Sequence, residues 1–99
     1  MAHRVAPQVE ADLDAIWIHV ARESGSMEIA SRLIDSIADR FCFLAGFPNA
    51  GRARDLEFGE GVRSFPVGEY LIVYSLEGAD VCILRVVHGR RAPGTLFEF

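Results

Sequence analysis

Two apolar stripes of helical period, separated by only a few residues, constrain the fold of this chain more than any other feature. The first stripe consists of Val9, Leu13, Ile16, Trp17 and Val20. The second stripe consists of Ala30, Leu33, Ile34, Ile37, Phe41, Leu44 and Ala45. Apolar residues that recur every three or four positions lie on one face of an α-helix. The stripes therefore predict two amphipathic helices that face one core.

Residues with known preferences for helix ends mark the limits of these two helices. Pro7 suits the first helical turn, because the N–H group that it lacks would have no partner there. Gly25 favours the end of the first helix, and Ser26 is a good N-cap for the second. Gly46 then ends the second helix. Because the link is so short, we expect an antiparallel helical hairpin over residues 7–45.

The second half of the chain predicts strands. Residues 62–67, 69–76 and 81–88 are rich in β-formers and are joined by short turns, which make neighbouring strands antiparallel. Residues 3–6 form a short extended lead-in, and residues 47–61 show no clear period. The predicted fold is α+β, with a helical hairpin packed on one face of a small antiparallel sheet and the order β-α-α-β-β-β.

The expected core combines both halves of the chain. The residues that we expect to be largely buried are Leu13, Trp17, Leu33, Ile37, Phe41, Ile72, Tyr74, Ile83 and Val86. The last strand, residues 81–87, is apolar on both faces except at Arg85. One hairpin covers only one face of a sheet, so the other face needs the tail (residues 92–99) or another chain.

Composition limits the classes of function. From the length of 99 residues we expect one domain, residues 1–99. No apolar run reaches the length of a membrane span and no signal-peptide segment is recognisable, so we expect a cytoplasmic protein without membrane contact. The net charge of −4 argues against broad, sequence-independent binding to nucleic acid. We also expect no direct sequence-specific DNA binding by this chain alone. Scattered cysteines and histidines predict no metal and no cofactor.

Four segments resemble those of one known family. They are Ala11–Trp17 (Ala-Asp-Leu-Asp-Ala-Ile-Trp), Pro48–Arg54 with its Gly-Arg pair, Arg63–Tyr74 with Tyr-Leu-Ile-Val-Tyr at its end, and Ile83–Arg91 with His-Gly-Arg-Arg at its end. Together they resemble the ParE-like toxins of the RelE/ParE superfamily, the toxins of type II toxin–antitoxin and plasmid stabilisation systems. The segments occur in the family's order, and the predicted topology agrees with the family fold.

The resemblance implies a cognate antitoxin as partner and leaves three functions open. ParE-like members inhibit DNA gyrase by contact, whereas RelE-like members are ribosome-dependent endoribonucleases that cut messenger RNA. A degenerate toxin retained only as an antitoxin-binding partner is the third possibility. Fold alone does not separate these functions.

The residue types favour a gyrase-binding inhibitor over an enzyme. Nuclease candidates exist in Arg63, His88, Arg90 and Arg91, but His88 is the only plausible base among them. The resemblance implies that the tail position where RelE-like enzymes hold a catalytic tyrosine is best matched by Phe97, which has no hydroxyl group.

The resemblance and the two-sided apolar strand together suggest two sets of binding residues. The residues expected to bind the target are Arg63, Arg90, Arg91 and Phe97. Those expected to bind the antitoxin are Val81, Ile83, Arg85 and Val87. Structural roles compete with these assignments, because Arg90 and Arg91 could instead pair with helix acids such as Asp12 or Asp14.

Overall fold

The computed structural model describes residues 3–90 and has the expected fold class and element order. Its elements, in chain order, are β1 (His3–Val5), α1 (Pro7–Ser24), α2 (Met27–Gly46), β2 (Arg52–Ala53), α3 (Asp55–Phe58), β3 (Val62–Val67), β4 (Tyr70–Glu77) and β5 (Asp80–His88). The two long helices confirm the predicted hairpin. Residues 91–99 lie outside this range, and the expectations for Arg91, Phe97 and the tail therefore fall outside the described residues.

The turn between α1 and α2 follows the predicted end signals. Gly25 has a φ of 69°, a left-handed conformation that glycine adopts without the steric cost of a Cβ atom. The side-chain oxygen of Ser26 accepts a hydrogen bond from the Ile29 N–H at 3.2 Å. Two residues are therefore enough to reverse the chain.

The sheet has the order β1-β5-β4-β3-β2 and is mixed rather than purely antiparallel. β1 pairs in parallel with β5, whereas the other neighbouring strands are antiparallel. The short elements β2 and α3 lie in the segment 47–61, for which the sequence predicted no regular structure. With two and four residues, they are too short to show a hydrophobic period.

The helical hairpin and the sheet share one core, which contains six of the nine residues expected there. Those six are Ile37, Phe41, Ile72, Tyr74, Ile83 and Val86. Leu13, Trp17 and Leu33 are only half-buried, which is less than expected. Trp17 remains at the edge of the hairpin, where its Nε1 donates a hydrogen bond to Ser31 Oγ at 3.1 Å.

The second face of the sheet is partly covered by α3. Phe58 at the end of α3 packs on Val62 and Val73, and the half-buried side chains of Leu84 and Val87 adjoin this cluster. The two-sided apolar pattern of the last strand is therefore explained in part by a short helix that the sequence did not predict. Within residues 3–90, no helix is long and apolar enough to cross a membrane.

Candidate functional site at the end of the last strand

A groove of about 560 Å³ runs between α1 and the end of β5. Its lining residues are Asp12, Ala15, Ile16, His19, Tyr70, Arg85, Val86, Val87, His88 and Arg90. The groove exists because β1 is shorter than β5. β1 is paired with β5 only as far as Ile83, and the backbone N–H of Ala6 makes the last bond to that residue before the chain turns into α1. Beyond Ile83, one edge of β5 faces α1, and no strand of residues 3–90 lies along it.

Asp12 on α1 occupies the beginning of this open edge. Its carboxylate accepts two hydrogen bonds from the Arg85 guanidinium, at 2.8 and 2.9 Å, and a third from the Val86 backbone N–H at 3.0 Å. The Asp12 side chain is only 8% exposed and that of Arg85 is 26% exposed. Hydrogen bonding to Asp12 raises the pKa of Arg85, so this guanidinium is fully charged. The carboxylate thus pairs with a backbone N–H at the open edge of β5 and neutralises Arg85, the one charged residue in the apolar run 81–87.

A β-bulge brings Arg85 to this position. The pairing of β4 with β5 shifts by one residue, from Val73 opposite Arg85 to Tyr74 opposite Ile83, so Leu84 is the extra residue. One of the acids named from the sequence, Asp12, is therefore paired with an arginine, but among the described residues that arginine is Arg85 and not Arg90. The sequence did contain a signal for this pair, because a lone arginine in an apolar strand needs a buried counter-charge.

His88 at the end of β5 is held by its neighbours. Its Nδ1 accepts a hydrogen bond from the backbone N–H of Arg90 at 3.2 Å, and its ring packs edge-on against Tyr70 with centroids 5.4 Å apart. Its Nε2 lies 3.9 Å from a carboxylate oxygen of Glu69. Only Nε2 remains for contact with a ligand.

Arg90 follows His88 at the mouth of the groove and is exposed. Within the described part of the chain its side chain forms no ion pair, in contrast to Arg85. The groove therefore combines an apolar floor with a cation, Arg90, that has no ion-pair partner within residues 3–90. No group of three or more metal-ligating side chains occurs within residues 3–90.

Arg63, the other described candidate for target binding, lies elsewhere and has a structural role. Its guanidinium donates to the Gly51 carbonyl oxygen at 2.7 and 3.0 Å and to that of Asn49 at 3.3 Å. On the sheet it is paired with Tyr74, whereas His88 is paired with Tyr70. The two tyrosines are four residues apart, or about 13 Å along an extended strand. The structure therefore does not bring Arg63 and Arg90 into one site.

Tyr74 completes the attachment of the loop between α2 and β2. Its buried hydroxyl donates to the Pro48 carbonyl oxygen at 2.7 Å and accepts from the Gly51 N–H at 2.9 Å. A Cβ atom at position 51 would lie 2.7 Å from the Ser64 carbonyl oxygen, so only glycine fits there. Tyr74 was predicted as a core residue, and its polar role was not foreseen.

The residues expected to bind the antitoxin occupy different environments. Val81 and Ile83 are 1% and 0% exposed beneath the helices, so their side chains offer no surface in this conformation. Arg85 is paired with Asp12, and Val87 is half-buried beside the α3 cluster and also lines the groove. Of these four, Arg85 and Val87 are accessible from the groove.

Comparison with known proteins agrees with this architecture. The family described as "ParE toxin of type II toxin-antitoxin system, parDE" matches residues 4–93. Toxin ParE3 from Caulobacter vibrioides is 37% identical over 82 residues, which cover 83% of this chain and 80% of the relative. A chain of a solved structure, "Chromosomal ParDE TA system from P. aeruginosa", superposes with a TM-score of 0.76 at 26% identity, covering 89% of this chain and 95% of that chain. The chain therefore belongs to the ParE toxin family of type II toxin–antitoxin systems.

Proposed function

We propose that this toxin is neutralised by a cognate antitoxin and that, when free, it inhibits DNA gyrase by contact and without chemistry of its own. The proposal also implies that the protein acts in the cytoplasm. Arg90, at the open end of the groove, is the described residue that we assign to target contact. Arg91 and Phe97 remain part of the proposed target surface on the basis of the sequence.

The observation that carries the proposal is that His88 is held in place by hydrogen bonding and ring packing. A ribonuclease of this kind needs one group to deprotonate the 2′-hydroxyl and another to protonate the leaving oxygen, each contributing roughly 10²–10⁴-fold. His88 uses Nδ1 to accept a backbone hydrogen bond, and its ring is fixed against Tyr70. Arginine is a poor proton acceptor because its guanidinium stays protonated. A contact inhibitor requires only an exposed cationic and apolar surface.

A messenger ribonuclease is the second candidate, and one observation favours it. His19 on α1 lines the same groove as His88, so two imidazoles and the Arg90 guanidinium adjoin one cavity. Two histidines could in principle divide the acid and base roles. We therefore include both histidines in the test.

The test is induced expression without antitoxin, combined with a supercoiling assay on purified gyrase. We expect His88→Ala and His19→Ala to keep toxicity and gyrase inhibition, and the double change Arg90→Ala with Arg91→Ala to reduce both. Arg32→Ala, on the exposed face of α2, is the matched control for loss of an arginine. Cleaved messenger RNA that disappears in either histidine variant would refute the proposal and support the nuclease. Full toxicity in the double arginine variant would also refute the proposed surface.

A further inference from the structure

The second face of the sheet, opposite the helical hairpin, is well covered at one end. At that end Phe58 packs on Val62 and Val73, which are 8% and 0% exposed. α3 lies beside β3, and β5 is two strands further across the sheet, or about 10 Å away. Because four helical residues are only about 6 Å long, α3 is too short to cover the β5 side of this face as well.

The less covered part of this face is an apolar patch, the open patch, which consists of Leu71, Leu84 and Val87. These side chains adjoin the Phe58 cluster but are only half-buried. Leu71 and Val87 are paired across β4 and β5, so their side chains lie next to each other on one face. Val87 is also close in sequence to Arg90, where the described part of the chain ends. The open patch therefore lies where the last residues of the chain begin.

The segment 91–99 has the length to reach back over the open patch. In the sequence Ala-Pro-Gly-Thr (92–95), proline and glycine hold the two central positions that favour a type II turn, which reverses the chain. Residues 95–99 would span about 16 Å if extended, whereas Leu84 and Val87 are about 10 Å apart along β5. A chain reversed at this turn therefore reaches both ends of the open patch.

The order of residues at the end of the tail also matches an apolar surface. Side chains two positions apart fall on the same side of an extended segment, so Phe97 and Phe99 share one side. Leu96 and Glu98 share the other. With the phenylalanines toward the sheet, the carboxylate of Glu98 faces water. Two aromatic rings on one side supply the large apolar area that a half-buried apolar patch lacks.

From the incomplete cover by α3, the position of the open patch and the sequence of the tail, we propose that residues 95–99 fold back over the second face. Phe97 and Phe99 then pack on the open patch of the same chain. Phe97 is assigned to target contact by the proposed function, so binding to the target requires the tail to leave the sheet. That consequence rests on the proposed function, whereas the contact between tail and sheet does not.

The test measures how fast carboxypeptidase A, which removes aromatic residues from chain ends, releases Phe99 from the full chain, as followed by mass spectrometry. A synthetic peptide of residues 91–99 gives the rate for a tail without a sheet. The ratio of the peptide's rate to the chain's rate is the protection factor, which reports the fraction of released tail when opening is fast relative to cleavage. We expect a protection factor of about ten or more, independent of protein concentration.

Matched variants on the sheet and on the tail locate the contact. Leu71→Asn should lower the protection factor about fivefold, because it places an amide in the open patch, and Leu76→Asn, the same change at the far end of β4, less than about twofold. Phe97→Ala should lower it about fivefold and Leu96→Ala less than about twofold, each compared with its own peptide. The two tail variants decide the proposal even if Leu71→Asn does not fold.

Several results would overturn the proposal. Release of Phe99 from the chain as fast as from the peptide would mean that the tail is not held. Equal effects of Phe97→Ala and Leu96→Ala, or unchanged protection in folded Leu71→Asn, would separate the tail from the open patch. Protection that is lost on dilution would assign the patch to a second copy, and antitoxin binding weakened by Leu71→Asn at unchanged protection would assign it to the antitoxin. The assay contains no gyrase, so this proposal and the proposed target fail independently.

Discussion

Replacing Asp12 with alanine should destabilise the protein more than any other change of a charged residue in α1. The substitution leaves the Arg85 guanidinium and the Val86 N–H without their partner. A hydrogen bond to a charged group contributes about 1.5–3 kcal/mol, and a buried group left without a partner costs its full desolvation. Because the Arg85 side chain is 26% exposed, water can replace part of what is lost. We therefore expect a loss of about 2–4 kcal/mol in the free energy of unfolding.

Asp14→Ala provides the matched control for this change. Asp14 lies two residues further along α1 and is exposed, so its loss should change the stability by less than about 0.5 kcal/mol. Urea unfolding followed by circular dichroism measures both variants, and a thermal scan should show a melting temperature at least about 8 °C lower for Asp12→Ala. A double-mutant cycle with Arg85→Met should give a coupling of about 1–3 kcal/mol. Equal stability of the two aspartate variants, or a coupling near zero, would refute the role assigned to Asp12.

Three further predictions concern the core and the thiols. Tyr74→Phe should cost about 1–3 kcal/mol and remove hydrogen-exchange protection at the Gly51 amide, because the phenolic hydroxyl is the partner of that N–H. Ile37→Ala should cost about 2–5 kcal/mol in urea unfolding, because Ile37 is fully buried. Burial, with a smaller effect of the nearby Glu77 charge, raises the pKa of the Cys82 thiol, so iodoacetamide at pH 7.5 should modify the exposed Cys42 first, as followed by mass spectrometry.

Each of these predictions has a result that contradicts it. Unchanged exchange at Gly51 in Tyr74→Phe would mean that the loop is not held by the hydroxyl. Ile29→Ala is the control for Ile37→Ala, because Ile29 lies on the same helix and is half-exposed; equal losses would argue against the assigned core. Equal modification rates of the two thiols at pH 7.5, or a Cys82 rate that does not rise with pH, would contradict the raised pKa.

The sequence predicted the long elements well because each carries a repeated signal. The stripes of α1 and α2 contain five and seven apolar residues, and the signals at Gly25 and Ser26 define the turn between them. No comparable signal exists for α3, which is one helical turn long. Its presence depends on Phe58 finding cover on Val62 and Val73, which is a tertiary effect. The parallel pairing of β1 was missed for a related reason, because three residues do not specify a partner strand.

The candidate site was predicted less completely than the fold, since its contacts join residues distant in sequence. Arg85 was conspicuous as the one charge in an apolar strand, and Asp12 was named as an acid that could pair with an arginine. The pairing of these two depends on the bulge at Leu84 and on how α1 passes the end of β1. Local sequence determines neither.

The two described arginines of the predicted target surface show why residue type alone does not identify a binding site. Arg63 donates to two carbonyl oxygens of the loop that Tyr74 also holds, so removing it would disturb that loop before it affected any partner. Arg90 has the same side chain but forms no ion pair within residues 3–90. Loss of function in Arg63→Ala would therefore need a stability measurement before it could indicate target contact. Because Arg90 is exposed at the chain's last described turn, its substitution should leave the fold intact, so the effect of Arg90→Ala on toxicity bears directly on binding.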